Sequence, residues 1–273
     1  MDIAEAVYRI EGHLAGLREP AREAYYIITE LLVDEGETSP LVAEVSEDLL
    51  RKAVKIAKRR ARGEPIQYIF KRAYFLDMVL KVDKGVFIPR PETETLVLLA
   101  RALYPSDSKI RVWDLGTGTG CIAIALARYY VNAEITASDI NRKALRIASE
   151  NARTYGVSER ISFIRARGVR AASGTYDLVV SNPPYIRTDE MKALTREVLF
   201  EPTEALWGGD DGAALSKEII LNPHLVPGGW LLIETSPFIA EAVLRFAREN
   251  GYEAEIFPDL SGYPRVIRAR WNG

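Results

Sequence analysis

Two short stretches carry residue types from which chemistry can be built. The first, "SNPPY", places Asn182, Pro183, Pro184 and Tyr185 straight after the apolar run Asp177 to Ser181. Prolines stop a strand because they lack an N–H and fix φ, so a stiff turn accounts for Pro183 and Pro184. It does not account for the polar amide and the aromatic ring on either side. The second, "DLGTGTG", ends an apolar run at Asp114 and continues through Gly116, Thr117, Gly118, Thr119 and Gly120 to a helical segment opening at about Cys121. Glycines at alternate positions permit a tight turn and a close approach of backbone to a ligand.

The details of the glycine stretch select its ligand. The dinucleotide fingerprint G-x-G-x-x-G would need glycine at position 121, where this chain has Cys121. The next apolar run, "EITASD", ends in Asp139, about twenty residues further on, where a carboxylate can accept both hydroxyl protons of a ribose. A G-x-G-x-G turn paired with an acid at the next strand end favours S-adenosylmethionine over NAD. That cofactor gives "NPPY" a task. An amide or aromatic amine is a poor nucleophile because its lone pair is delocalised, so it must be held in line with the S–CH₃ bond. The side-chain carbonyl of Asn182 and the backbone carbonyl of Pro183 can each accept one N–H of a planar NH₂ group. Two such acceptors favour the more tetrahedral nitrogen reached during attack. The prolines stiffen the turn, and Tyr185 offers a flat face to a planar substrate and to developing positive charge. Attack needs no side-chain base, since the proton becomes acidic as the N–C bond forms.

Such residues converge only if strands and helices alternate around them. Strand candidates at Arg111 to Leu115, Glu134 to Ser138, Ile161 to Ile164, Asp177 to Ser181 and Trp230 to Glu234 alternate with helical segments. This pattern specifies a mainly parallel sheet covered on both faces, with ligands beyond the carboxyl ends of the strands. Asn141 is placed to cap the helix that bears Leu145, Ala148 and Ala152. Runs at Glu253 to Phe257 and Arg265 to Arg270 close one edge. Upstream, Ile3, Val7, Ile10, Leu14 and Leu17, then Leu50, Val54, Ala57 and Ala61, repeat at helical spacing. We therefore expect a helical bundle over residues 1–74, a hairpin linker over 75–88 that turns at Asp83-Lys84-Gly85, and a catalytic α/β domain over 89–273.

Composition bounds the partners. The 273 residues hold one cysteine, Cys121, and two histidines, His13 and His224, which disfavours both a disulfide and a structural zinc site; no metal is expected. No apolar run approaches the roughly 20 residues that span a bilayer, and the acidic start lacks a basic leader. A cytoplasmic protein without membrane association is expected. The formal net charge of −2 argues against a partner bound mainly through phosphates.

At this point the chain resembles the HemK/PrmC-type protein-glutamine methyltransferases over nearly its full length. "RARGEPIQYI" (Arg60 to Ile69) looks like the end of that family's helical domain and "FIPRPETETLV" (Phe87 to Val97) like its loop into the catalytic domain. "DLGTGTG", "NPPYI", "FEPTEALWGGDDG", "PGGWLLIE" and "DLSGYPRVIRAR" follow in the family's order. The resemblance implies a Rossmann-like class I S-adenosylmethionine-dependent methyltransferase sheet behind a small N-terminal helical bundle. It implies methylation of the side-chain amide of the Gly-Gly-Gln glutamine in a translation release factor. Gly116, Thr117, Gly118, Thr119, Gly120, Asp139 and Asn182 would contact the cofactor. Asn182, Pro183, Pro184 and Tyr185 would hold the glutamine, with Asn182 and Pro183 acting in catalysis. Nucleic-acid amino-methyltransferases use the same tetrapeptide, so an exocyclic amine such as that of adenine, with Tyr185 stacked on a flipped base, is the alternative substrate. The chain departs from the family's pattern at Phe70, at Thr235 to Phe238, and at Arg167, where an acid near the adenine is usual.

Two features stay open in the sequence. The basic run around Arg51, Lys52, Lys55, Lys58, Arg59 and Arg62 is either a solvated helix face or a surface for an acidic or RNA partner. Glu92, Glu94 and Glu234 suit either structural caps and ion pairs or substrate contact.

Overall fold

The computed structural model describes residues 1–273 except 38, 40–42, 172 and 173. The chain divides into two compact units, one of Met1–Lys71 with Thr195–Phe200, the other of Arg72–Leu194 with Glu201–Gly273.

In the first unit, α1 (Ile3–Glu11), α2 (Pro20–Asp34), α3 (Glu47–Arg60) and the short α4 (Ile66–Phe70) enclose an apolar core that includes Ile10, Leu14, Ile27, Ile28, Leu49 and Ala53. Asp2 and Ser46 cap α1 and α3 by accepting the N–H groups of Glu5 and Leu49, which satisfies donors that the first turn leaves free. The buried stripe of α3 runs Leu49, Leu50, Ala53, Ala57, Arg60, and the expected Ala61 lies outside it, exposed. Arg60 takes that last place because its charge is met: it pairs with Glu23 at 2.8 Å and with Glu197 at 2.9 Å. Much of the basic face is also paired, Arg51 with Asp48, Lys52 with Glu35 and Asp48, and Arg59 with Glu64.

The second unit opens with a hairpin of β1 (Arg72–Phe75) and β2 (Met78–Lys81). It turns at Leu76-Asp77 and not at Asp83-Lys84-Gly85, because the carboxylate of Glu94 accepts the Leu76 N–H at 2.7 Å and holds Leu76 at a φ of 51°. Downstream come α5 (Thr93–Arg101), β3 (Arg111–Leu115), α6 (Cys121–Tyr129), β4 (Glu134–Asp139), α7 (Arg142–Thr154), β5 (Ile161–Arg165) and β6 (Tyr176–Ser181). Then follow α8 (Ala214–Leu221), β7 (Leu225–Glu234), α9 (Ala240–Glu249), β8 (Tyr252–Pro258) and β9 (Pro264–Trp271). Strands β3 to β9 form one seven-stranded sheet in the order β5-β4-β3-β6-β7-β9-β8, parallel from β5 to β7 and antiparallel at β9 and β8. Alternate strand residues feed two cores: Val112, Leu178, Val180 and Leu232 face α5 and α6, while Trp113, Val179, Leu231 and Ile233 face the side of α9. The order reverses between β3 and β6, the point beyond whose strand ends open α/β sheets bind their ligands.

Candidate active site

The glycine stretch forms the turn between β3 and α6. Gly116 N–H and Thr117 N–H both donate to Ser138 O, at 2.8 and 2.9 Å, which ties the turn to the end of β4. Asp114 sits beneath it, fully buried; its Oδ2 accepts the Thr117 hydroxyl at 2.6 Å and the Ala123 N–H at 3.1 Å. Burial pushes this carboxyl up to about 7, against the pull of those two donors. Gly116 and Gly118 adopt φ of 78° and 56°, and a Cβ added at either would meet nothing within 4 Å. Open space over a turn that tolerates only glycine is what close packing against the edge of an adenosyl-methionyl group requires.

Asp139, at the end of β4, accepts the Gly118 N–H through Oδ2 at 2.9 Å and the Asn141 N–H through Oδ1 at 2.8 Å. Each oxygen keeps a further lone pair for a ribose hydroxyl. Burial raises its pKa, against the bonds from Asn141 and Gly118. Asn141 caps α7 by accepting the Lys143 and Ala144 N–H groups. Thr119 is buried, and its carbonyl accepts the Asn151 amide at 2.9 Å, which fixes the far side of the turn. The residues present thus fit the adenosyl cofactor at Gly116 to Gly120 and Asp139.

The "NPPY" turn leaves β6 beside this loop. Ser181 Oγ donates to Leu115 O at 2.7 Å, so the ends of β6 and β3 are fastened together. Pro183 is buried, and Asn182, Pro184 and Tyr185 are half-buried. Asn182 Nδ2 donates to Thr93 Oγ1 at 3.0 Å, an arrangement that leaves Oδ1 to accept from another donor. Tyr185 packs on the core below, and burial, with Glu234 adding to it, pushes its phenol up to about 12, so the ring stays neutral.

"WGGDDG" is the bed of this turn. Ile186 N–H donates to Leu206 O and Gly208 N–H to Ile186 O, at 2.9 and 2.8 Å. A Cβ on Gly208 would lie 2.6 Å from Pro184 O and one on Gly212 would lie 2.6 Å from Tyr185 O. Glycine is needed there for space. The "PRPETE" loop is anchored likewise: Glu201, almost fully buried, accepts the Ile88 N–H at 3.0 Å and pairs with Arg90.

The structure brings Asn182, Pro183, Pro184 and Tyr185 to the strand ends beside Gly116 to Gly120. Of the three acids left open, Glu94 braces the hairpin turn. Glu234 lies at the end of β7 with no exposed surface, and Glu92 at the start of α5 is one of the charges around it. Sequence reasoning missed Thr93, Asp114 and Ser181. Only Thr93 had a signal, as the lone hydroxyl between two acids at a helix start. Among the described residues no helix is long and apolar enough to cross a membrane, and no group of His, Cys, Asp and Glu could hold a metal ion.

This sheet order and glycine turn define a class I S-adenosylmethionine-dependent methyltransferase. A crystal structure of a methyltransferase from Pyrococcus furiosus shares the fold, with a TM-score of 0.56 and 17% identity over 80% of this chain and 99% of that one. The family model described as Methyltransferase small domain matches residues 77–210. A release factor glutamine methyltransferase of Thermodesulfovibrio yellowstonii is 34% identical over 90% of this chain and 91% of that protein. One from Deinococcus radiodurans is 36% identical over 84% of this chain and 83% of that protein. The chain belongs to the release factor glutamine methyltransferase family.

Proposed function

We propose that this protein methylates the side-chain amide nitrogen of the glutamine in a Gly-Gly-Gln segment of a translation release factor. The observation that carries the reading is the placement of Asn182 at the strand end beside the glycine turn: its Nδ2 donates to Thr93 Oγ1 at 3.0 Å, and in this arrangement its oxygen is the end left for a substrate N–H. S-adenosylmethionine, held by Gly116 to Gly120 and Asp139, supplies an electrophilic methyl on a sulfonium. Asn182 Oδ1 and the Pro183 carbonyl accept the two N–H groups of the glutamine amide and aim its nitrogen at that methyl. These acceptors bind more strongly as the nitrogen gains positive charge, so they stabilise the transition state more than the ground state. Tyr185 presents its neutral ring to the planar amide and the growing charge. One proton leaves the nitrogen after attack.

The substrate is a protein in the cytoplasm, and the formal net charge of −2 supports the protein amide over a nucleic-acid amine. The test is Asn182→Ala. It should bind S-adenosylmethionine within a few fold of the parent, yet lose turnover on a Gly-Gly-Gln peptide by about a hundredfold or more, roughly 2.7 kcal/mol of transition-state stabilisation. A folded variant turning over at the parental rate would remove Asn182 from the chemistry. Label appearing in DNA or RNA and in no protein would overturn the substrate.

A further inference from the structure

Three of the most exposed large apolar side chains among the described residues stand at one end of the sheet: Leu260 at 88% exposure, Phe238 at 84% and Tyr263 at 60%. Strand pairing puts them there. β7 ends at Glu234, opposite Val266 near the start of β9, and Pro258 at the end of β8 pairs with Pro264. The loop after β7 carries Phe238, and the turn between β8 and β9 carries Leu260 and Tyr263, so both leave the sheet at the same end as the "NPPY" turn after β6. Neighbouring strands lie about 5 Å apart, which sets the ends of β7 and β9 roughly 5 and 10 Å along the sheet from that turn. A direct link joins the first of them to it. Ile239, next to Phe238, has its Cδ1 3.5 Å from where a Cβ on Gly212 would lie, and that same Cβ would be 2.6 Å from Tyr185 O.

Both loops are braced. Asp259, buried, accepts the N–H groups of Ser261 and Tyr263 through Oδ1 at 2.9 and 3.1 Å and pairs with Arg265 through Oδ2 at 3.0 Å. Its own N–H donates to Tyr263 O at 2.8 Å, and its carbonyl accepts the Gly262 N–H at 2.9 Å. Thr235 N–H donates to Arg265 O at 2.8 Å, and Pro237 fixes φ just ahead of Phe238. Backbone that already has its partners holds these side chains outward, so little ordering is left to be done when a partner arrives. Charge is absent as well. Charged residues make up 27% of the chain, yet none falls in 235–240 or in 260–264, and the two that flank the second loop, Asp259 and Arg265, neutralise each other. With no cation the two loops offer nothing to a phosphate backbone, and they suit the apolar surface of a protein.

We propose that Phe238, Leu260 and Tyr263 form a docking rim for the intact release factor, against which apolar side chains of its folded surface pack while the Gly-Gly-Gln segment reaches Asn182. The inference rests on the glutamine-methylation reading and deepens it, by separating where the protein is held from where the amide is methylated. Continuity with the substrate turn selects this occupant: a folded protein that delivers a glutamine to "NPPY" covers the neighbouring loop ends, whereas a short peptide seated on the turn leaves them bare. Large apolar side chains displayed beside a site drive association when a partner takes them out of water. Phe238 falls in one of the stretches where the chain departs from its family's pattern, so that part of the rim is particular to this chain.

The experiment compares the parent with Phe238→Ser, Leu260→Ser, Tyr263→Ser and the triple variant. Val131→Ser is the control, an exposed apolar residue in the loop before β4, at the opposite end of the sheet. Each is assayed for methylation of the intact Gly-Gly-Gln release factor of the same organism and of a short Gly-Gly-Gln peptide, with Tm and S-adenosylmethionine affinity measured alongside. On the intact factor each single variant should raise KM about threefold to tenfold and the triple variant about a hundredfold, with kcat within about twofold. On the peptide, kcat/KM should stay at the parental value, and Tm should hold because exposed side chains leave no cavity. The control should match the parent on both substrates. An unchanged KM for the intact factor in the triple variant overturns the rim, as does an equal loss on the peptide, which would put these residues in the catalytic step. A parent that sediments as a dimer beside a monomeric triple variant, with the factor's KM unmoved, also overturns it and gives the patch to a second copy of this chain. A parent that labels neither factor nor peptide overturns the function beneath the rim.

Discussion

Gly208→Ala tests whether the bed under the substrate turn controls the chemistry. The backbone at Gly208 lies outside the left-handed region, so alanine meets no conformational penalty and the perturbation is one of space. The new Cβ would sit 2.6 Å from Pro184 O, 2.6 Å from Gly212 O and 2.8 Å from Tyr185 Cα. Ordinary carbon contacts begin near 3.4 Å, so the "NPPY" backbone must retreat by on the order of 0.7 Å. All three obstacles are backbone, which rules out relief by a rotamer change. A misplacement of that size at two hydrogen-bond acceptors should lower turnover by roughly tenfold to a hundredfold. Overpacking should cost about 1–3 kcal/mol, a few degrees in Tm. The assay pairs single-turnover methylation of a Gly-Gly-Gln peptide with calorimetry of S-adenosylhomocysteine, whose site at Gly116 to Gly120 should bind nearly as before. Gly16→Ala, where a Cβ meets nothing within 4 Å, is the silent control. Parental turnover by a folded Gly208→Ala would refute the claim that the glycine holds the turn in its working position.

Asp139→Ala should weaken S-adenosylmethionine and its demethylated product alike by about tenfold to a hundredfold, since both carry the same ribose and Gly118 and Asn141 lose an acceptor as well; equal affinity by calorimetry would remove Asp139 from the site. Reversing the charges of Lys55, Lys58 and Arg62 together should leave cofactor affinity and methylation of a short Gly-Gly-Gln peptide unchanged, and a loss on the peptide would place that helix face in the catalytic step. Asp114 and Glu234 are both raised to about 7, so the folded state keeps protons that the unfolded chain releases near pH 4, and stability should fall as pH rises from 5 to 8. The loss should be visible as a drop in the Tm of the cofactor-free protein; a Tm that climbs over this range would refute it.

The sequence by itself determined the elements and the class. Apolar runs ending at Leu115, Ser138, Ser181 and Glu234 lie within the observed strands because strands buried on both faces are read directly from composition. The "NPPY" turn and the glycine turn were legible as conformations, since each is dictated by its own residues. What the sequence left open depended on contacts between distant segments. The hairpin turned one strand early because Glu94, eighteen positions downstream, holds the Leu76 N–H. Arg60 joined a buried stripe because Glu23 and Glu197 neutralise it. The resemblance picks out "WGGDDG", but only the fold shows why its glycines are needed, by setting Gly208 and Gly212 against the carbonyls of Pro184 and Tyr185. Thr93 and Glu234 lie inside "FIPRPETETLV" and "PGGWLLIE", but those stretches do not say which atoms the two side chains meet. Parallel register places Glu234 beside Asn182, and α5 brings the Thr93 hydroxyl within 3.0 Å of the Asn182 amide. Local propensity sets which residues form a strand or turn, but the partner of a buried polar atom is chosen by tertiary packing, as the Thr93 hydroxyl is for the Asn182 amide.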